Sequence, residues 1–290
     1  MLLWYQKIEK QVVEEEVKQT EIVDFGSGKL QAVLMQGDCL EHIQRIQGGS
    51  VDMILTDPPY SSGGLTAGDR KKSTKDKYTS LDFNGAARFA NFEGDNMDQR
   101  SCTEFWRQVF TKARSKTKAG GILAAFTDWR QLPAMTDAVQ MAGWLWRGIV
   151  VWDKGTSRNI QGRYRNDCEY IVWASNGPRK VEYKKGFAAL PGCYRVGGVS
   201  SATKRHQTQK PVELLERLLD ILPDPGGVVL DLFMGSGSTG VACINRRQNF
   251  IGMELSPIYF ETAKQRIVER VREDGADRAN QPGFCQGQRG

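Results

Sequence analysis

Four consecutive residues combine an acid, two prolines and an aromatic ring directly after the hydrophobic run 51–56. They are Asp57, Pro58, Pro59 and Tyr60. The prolines restrict the backbone and remove two N–H donors, so a carbonyl can face a ligand beside the Asp57 carboxylate. Two neighbouring acceptors suit an NH2 group, and Tyr60 can stack on the planar ring that carries it. A plain proline turn is the alternative, but the complete string favours chemistry on an amino group.

A second string joins a hydrophobic run to a glycine-rich turn. Its marked residues are Asp231, Phe233, Gly235 and Gly237. Glycines let the backbone approach a ligand closely, and Glu254 ends the next hydrophobic run, where a carboxylate can accept both hydroxyls of a ribose. A nucleoside cofactor is therefore predicted. These glycines also fit the GxGxxG pattern of dinucleotide folds. An oxidoreductase, however, has no use for two acceptors around an amine, and two histidines offer few bases for hydride transfer.

Both strings need a scaffold that brings strand ends together. Short apolar or β-branched runs alternate with helical stretches, which predicts an α/β fold with a mainly parallel sheet. We expect seven strands, at residues 30–35, 51–56, 121–127, 148–152, 169–174, 228–233 and 250–254. One helix should begin at Pro211 and stop before Pro223, and another should begin at Ser256 and Pro257 and run to about Arg272.

Three segments depart from this alternation. Residues 1–29 form an N-terminal extension to a catalytic domain at 30–272, and the charged, glycine-containing stretch 61–100 reads as an insertion that could act as a mobile lid. The polar, glycine-rich tail at 273–290 is expected to be disordered.

Composition excludes several other kinds of site. The 290 residues include six cysteines without a CxxC spacing and two histidines, which argues against a zinc site, a disulfide scaffold or a Ser-His triad. Neither a membrane span nor a secretory signal is recognisable, so we expect a cytoplasmic protein. Forty lysines and arginines against 34 acids give a net charge of +6, which favours a polyanionic partner where the basic residues cluster.

With both strings in hand, the sequence resembles the amino-methyltransferases of DNA, whose D-P-P-Y and F-x-G-x-G strings match residues 57–60 and 233–237. The catalytic string comes first, as in the circularly permuted β class. The resemblance extends from about Leu30 to Arg270 and implies a Rossmann-like S-adenosyl-L-methionine-dependent fold with six parallel strands and one antiparallel strand. An aspartate at the start of the clamp is typical of adenine N6 enzymes, whereas many cytosine N4 enzymes carry serine. The absence of any Pro-Cys pair excludes cytosine C5 methyltransferases.

The resemblance also implies roles for individual residues. The clamp residues would hold the amino group of a base flipped out of the duplex, without a covalent intermediate or a metal. Phe233, Gly235 and Gly237 would lie close to the cofactor, Glu254 would bind its ribose and Asp38 would lie beside its adenine. The methionine end would be bound by Asp231, Thr208 and Lys210. The same clamp chemistry could serve RNA or a protein glutamine amide, whose relatives usually carry Asn in place of Asp57.

The partner expected from this resemblance is DNA, and a homodimer is left open. Basic and aromatic residues interleave at 178–205, where β-class enzymes carry their target-recognition region. The basic residues assigned to DNA are Arg179, Lys180, Lys184, Lys185, Arg195, Lys204 and Arg205. A solvated surface loop is the alternative. Because this region is short, we expect methylation in a very short sequence context or in nearly any context.

Overall fold

The computed structural model describes residues 19–59, 97–156, 161–179, 189–199 and 209–279. These ranges contain a single mixed sheet. Its strands are β1 (Thr20–Phe25), β2 (Leu30–Gln36), β3 (Val51–Thr56), β4 (Thr117–Thr127), β5 (Leu145–Asp153), β6 (Cys168–Ser175), β7 (Cys193–Arg195), β8 (Val228–Asp231) and β9 (Asn249–Glu254). They lie in the order β1-β2-β9-β8-β3-β4-β6-β5-β7.

The seven predicted strands are all present, and among them only β6 runs against its neighbours β4 and β5. The predicted strand count was nevertheless too low, because β1 pairs antiparallel with β2 and β7 pairs parallel with β5 at the two ends of the described sheet. β1 lies inside the segment that we assigned to an N-terminal extension. It is an edge strand whose residues alternate in exposure, and β7 is only three residues long. Neither gives a continuous hydrophobic run.

Helices cover both faces of the sheet. They are α1 (Cys39–His42), α2 (Gln99–Lys116), α3 (Leu132–Met141), α4 (Val212–Leu219), α5 (Ser238–Asn245) and α6 (Pro257–Ala279). One buried cluster lies between the sheet and α4 to α6, and the other lies between the sheet and α1 to α3. Pro211 caps α4 as expected, while α6 continues past Arg272, so the predicted disordered tail is helical as far as Ala279. Across the ranges above, the structure shows no helix that is both long and apolar enough to cross a membrane.

The sheet topology brings the chemically interesting residues to one edge. β2, β9, β8 and β3 are parallel neighbours, so the residues that end or follow them lie side by side: Asp38, Glu254, Asp231 and Asp57. β6 is antiparallel, and its residue Tyr170 lies opposite Thr127 at the end of β4. The first residues of β6 therefore lie at the same edge as the last residues of β3 and β4. This edge is where open α/β sheets bind ligands.

Candidate active site

The clamp turn begins where β3 ends, and it is held in place by two contacts from distant parts of the chain. Lys210 donates from Nζ to Oδ2 of Asp57 over 2.5 Å. The buried indole of Trp106, on α2, donates from Nε1 to the carbonyl oxygen of Pro59 over 3.1 Å. The other carboxylate oxygen of Asp57, Oδ1, is buried and accepts no hydrogen bond from the described residues. Asp57 is therefore fixed through one oxygen and offers the other as an acceptor.

A second acid and a second lysine continue this ion pair. Lys210 Nζ also lies 3.4 Å from Oε2 of Glu169, and Lys154 Nζ lies 3.2 Å from Oε1 of Glu169. Burial raises the pKa of Asp57 to about 6, although the charge of Lys210 opposes the rise. Burial lowers the pKa of Lys210, but the charges of Asp57 and Glu169 outweigh it and raise the pKa overall. Lys210 is therefore a cation at neutral pH, and Asp57 is mostly ionised.

Asp231 is buried, and its carboxylate is occupied by the protein itself. Its Oδ1 accepts from the hydroxyl of Thr56 over 2.8 Å and from the amide of Phe233 over 3.1 Å. Its Oδ2 accepts from the hydroxyl of Thr239 over 2.6 Å. Asp231 thus ties the end of β3 to the glycine-rich loop and the start of α5. These contacts give Asp231 a positioning role in the protein. Its predicted contact with the methionine end of the cofactor stays a prediction.

Glu254 ends β9 and supports the glycine-rich loop from the other side. Its Oε2 accepts from the amide of Gly235 over 2.9 Å, and its Oε1 accepts from the amide of Ser256 over 2.8 Å. Each oxygen retains a lone pair for a further donor. Burial raises the pKa of Glu254 to about 7, against the effect of these two amide donors.

Gly237 shows why the loop needs glycine. It adopts a left-handed backbone with φ of 80°, and a Cβ atom there would lie 3.0 Å from both Cα and Cβ of Ala263 on α6. Any side chain would be strained and would push α6 away from the loop. The glycine therefore permits a close approach between the loop and α6.

Two further residues predicted to contact the cofactor have local partners. Asp38 is exposed and caps α1, because its Oδ1 accepts from the amide of Leu40 over 2.8 Å. The Phe233 ring is partly buried and packs at 58° against Phe105, with the ring centroids 6.0 Å apart. Both follow strands whose carboxyl ends share one edge of the sheet, as do Asp57, Gly235 and Gly237, and Glu254 ends such a strand. Their contacts with the cofactor stay a prediction.

The predicted DNA contacts are described only in part. Arg179 is partly buried and donates to the carbonyl of Ile221 over 2.7 Å, so this guanidinium is engaged inside the protein. Arg195 has a side chain that is 80% exposed and pairs through Nε with Asp153. Seven predicted site residues fall outside the described ranges: Tyr60, Lys180, Lys184, Lys185, Lys204, Arg205 and Thr208.

Three residues of the site were not identified from the sequence. Trp106, Lys154 and Glu169 contact the clamp turn or its ion pair, yet none belongs to either string. Glu169 carries the clearest retrospective signal, because it is a charged residue at the start of an otherwise hydrophobic strand. Trp106 and Lys154 carry no local signal, since their roles depend on contacts across the fold.

Comparison with known proteins agrees with this geometry. The DNA methylase family matches residues 51–265. The chain is 31% identical over 248 residues to YubD of Escherichia coli (strain K12), a protein classed as a methylase, covering 83% of this chain and 93% of YubD. It is 28% identical over 251 residues to the Type II methyltransferase M2.MboI of Moraxella bovis, covering 81% of this chain and 87% of M2.MboI.

Solved structures show the same fold. The complex of M1.HpyAVI with SAM is 26% identical at a TM-score of 0.57, covering 81% of this chain and 98% of that chain. The cytosine-N4-specific PvuII DNA methyltransferase is 16% identical at a TM-score of 0.60, covering 83% of this chain and 92% of that chain, a likeness that concerns the fold alone. The resemblance drawn from the two strings is thereby confirmed. The family match spans most of the sequence and includes both strings, so this chain belongs to the DNA methylase family.

Proposed function

We propose that the protein transfers a methyl group from S-adenosylmethionine to the N6 amino group of adenine in DNA. The observation that carries this proposal is the clamp, in which Asp57 offers one buried carboxylate oxygen beside a proline turn, and no group in the described ranges donates a hydrogen bond to that oxygen. Cytosine N4 carries a chemically similar amino group and is the competing target. Asp57 favours adenine because the resemblance associates aspartate with N6 enzymes and serine with many N4 enzymes.

The cofactor is S-adenosylmethionine, and the residues at the carboxyl edge fit it. Glu254 has lone pairs for the ribose hydroxyls and holds the glycine-rich loop through the amide of Gly235, at the edge where the cofactor is proposed to bind. Asp38 keeps a carboxylate oxygen for the adenine side, and Phe233, Gly235 and Thr208 are expected close to the cofactor. The bound cofactor supplies an electrophilic methyl group on a sulfonium sulfur.

The chain's own residues then account for the activation of the amine. A target base must leave the duplex to reach this edge, at an unstacking cost of a few kcal/mol, and stacking on Tyr60 offsets part of it. Asp57 Oδ1 and the Pro58 carbonyl accept the two amino hydrogens and orient the nitrogen lone pair. Pro59, anchored by Trp106, keeps the turn rigid. Most of the acceleration comes from this positioning and from the negative charge of Asp57 near the developing positive charge.

Tritiated-methyl transfer to DNA, RNA and protein, followed by nucleoside mass analysis, tests the proposal. We expect label in DNA and N6-methyladenine as the product. N4-methylcytosine as the product would show that the same clamp acts on cytosine and not on adenine. Label in RNA or protein alone would refute the proposal.

The sequence context of methylation should be short or nearly unrestricted. Direct readout of several base pairs needs a rigid element with multiple bidentate side chains, each contributing roughly 1 to 3 kcal/mol of discrimination. Between the end of β6 at Ser175 and Gln207 the chain has little room for such an element, and Arg179 is engaged with Ile221. Single-molecule sequencing of fully methylated plasmid should show modified adenines in many contexts. Confinement to one site of four or more base pairs would contradict this expectation.

Glu254→Ala should weaken cofactor binding by roughly 1.5 to 3 kcal/mol, the usual contribution of hydrogen bonds to a charged group. Because burial raises the pKa of Glu254 to about 7, the ionised form is lost as the pH falls through that value. Calorimetry on the wild-type protein should therefore show a higher Kd for the cofactor at pH 6 than at pH 8. Glu254→Gln should reduce this pH dependence. Equal affinities for all three proteins would remove Glu254 from the cofactor site.

A further inference from the structure

Two lysines and two acids form a continuous row of charges that begins at the clamp. We call Asp57, Lys210, Glu169 and Lys154 the charge chain. Successive members are separated by 2.5, 3.4 and 3.2 Å between nitrogen and oxygen. Their side chains are 21%, 7%, 19% and 24% exposed, so solvent screens these contacts only in part. The formal charges of the four groups sum to zero.

We infer that Glu169 and Lys154 are positioning residues that act through Lys210 by dividing its positive charge between Asp57 and Glu169. Glu169 competes with Asp57 for the Lys210 ammonium, and Lys154 competes with Lys210 for the Glu169 carboxylate. The inference deepens the proposed function and rests on it, because it assigns the charge chain to the acceptor that holds the target amine.

This division matters because Asp57 has two opposing requirements. An Asp57 carboxylate neutralised entirely by Lys210 would be a weaker acceptor for the amine. Without Lys210, burial would favour the protonated acid, which has one fewer acceptor site. Sharing Lys210 with Glu169 keeps Asp57 ionised while leaving it negative enough to attract a developing cation.

The electrostatic surroundings of Asp57 agree with this geometry. Burial is the largest cause that raises its pKa to about 6, the charge of Lys210 lowers it, and the charges of Glu169 and Asp231 raise it further. The pKa of Glu169 is lowered overall, because the charges of Lys210 and Lys154 outweigh its burial. Glu169 is thus ionised at neutral pH and able to compete for Lys210.

Two substitutions should shift the acid limb of the kcat-against-pH profile in opposite directions. Glu169→Gln removes the competing carboxylate, so Lys210 stabilises the Asp57 carboxylate more strongly and the acid limb moves to lower pH. We expect kcat at neutral pH to fall about tenfold, less than the roughly 10² to 10⁴ that a complete acid-base group contributes. Lys154→Met releases Glu169 to attract Lys210 more strongly, so the acid limb moves to higher pH. KM for DNA should change little in either variant.

Two controls separate this role from general structural damage. Glu169→Asp keeps the charge and should keep the acid limb close to its wild-type position. Lys118→Met removes another lysine-carboxylate pair, in which Nζ lies 2.7 Å from Oδ1 of Asp52 at the opposite edge of the sheet, and it should leave the profile unchanged. If Glu169→Gln fails to fold, Lys154→Met still tests the sign of the shift.

A carboxyl titration of the protein without DNA provides a second readout that does not depend on activity. With 13C-labelled aspartate, and Asp57→Asn to identify the signal, Asp57 should titrate at a lower pH in Glu169→Gln and at a higher pH in Lys154→Met than in the wild-type protein. If the two variants shift the Asp57 titration in opposite directions but the wild-type protein methylates no adenine, the charge chain is supported and the proposed function is refuted. Adenine methylation with unmoved titrations, or with both shifts in one direction, would overturn the inference.

Discussion

Asp57→Ala is expected to abolish methyl transfer while leaving cofactor affinity within about tenfold of the wild-type value, about 1.4 kcal/mol. The reason is the division of contacts at the carboxyl edge. Asp57 is bound to Lys210 and, in the proposed reaction, would offer Oδ1 to the amine, whereas Glu254 and the glycine-rich loop are joined to each other. Loss of an acceptor that acts mainly in the transition state lowers kcat rather than binding. Single-turnover transfer and cofactor calorimetry measure the two quantities separately.

A matched control for this variant is Asp137→Ala, which removes an exposed aspartate on α3 and should leave both quantities unchanged. Asp57→Asn keeps one acceptor oxygen and removes the charge, so we expect residual transfer between those of Asp57→Ala and the wild-type protein. Loss of transfer and of cofactor binding together in a folded Asp57→Ala protein would show that Asp57 serves both ligands.

The sheet could be predicted from the sequence because its central strands are mainly hydrophobic. β3 and β8 are largely buried and consist mostly of apolar residues, although Asp52 and Thr56 lie in β3 and Asp231 ends β8. The residues that follow β3 and β8 could be placed near each other, because the carboxyl ends of neighbouring parallel strands lie at the same edge of a sheet. The edge strand β1 was not predicted, since Thr20, Glu21 and Asp24 interrupt its apolar residues. An edge strand is recognised mainly by its pairing partner, which the local sequence does not reveal.

The candidate site was predictable in its acceptors and glycines but not in its network of charges. Asp57 and Lys210 are 153 positions apart, and nothing in either local sequence shows that they meet. Lys210 could pair with a carboxylate of the cofactor or with a carboxylate of the protein, and from the sequence we predicted the cofactor. The structure shows that Lys210 pairs with Asp57. Its Nζ also lies over the ring of Phe126, 5.1 Å from the ring centroid.

Lys210→Met should be strongly destabilising, lowering the free energy of unfolding at pH 8 by about 3 to 5 kcal/mol, the usual effect of removing one partner of a buried ion pair. Methionine fills a similar volume, so the loss reflects charge rather than a cavity. Asp57 then loses the charge that opposes its burial, and its pKa rises above the present value of about 6. Transfer at neutral pH should fall with it, because the protonated acid is a poorer acceptor.

The dependence on pH identifies the cause of this destabilisation. A carboxyl whose pKa is higher in the folded protein than in the unfolded chain binds protons on folding, so stability falls as the pH rises from the unfolded value, 3.8, to the folded one. Because Lys210→Met raises the folded pKa further, the difference from the wild-type protein should be large at pH 8, shrink as the pH falls towards 6 and level off below that value. Adding Asp57→Asn removes the unpaired charge and should recover part of the lost stability at pH 8. Urea unfolding at several pH values measures these differences, and a loss that is equal at all of them would assign Lys210 to packing.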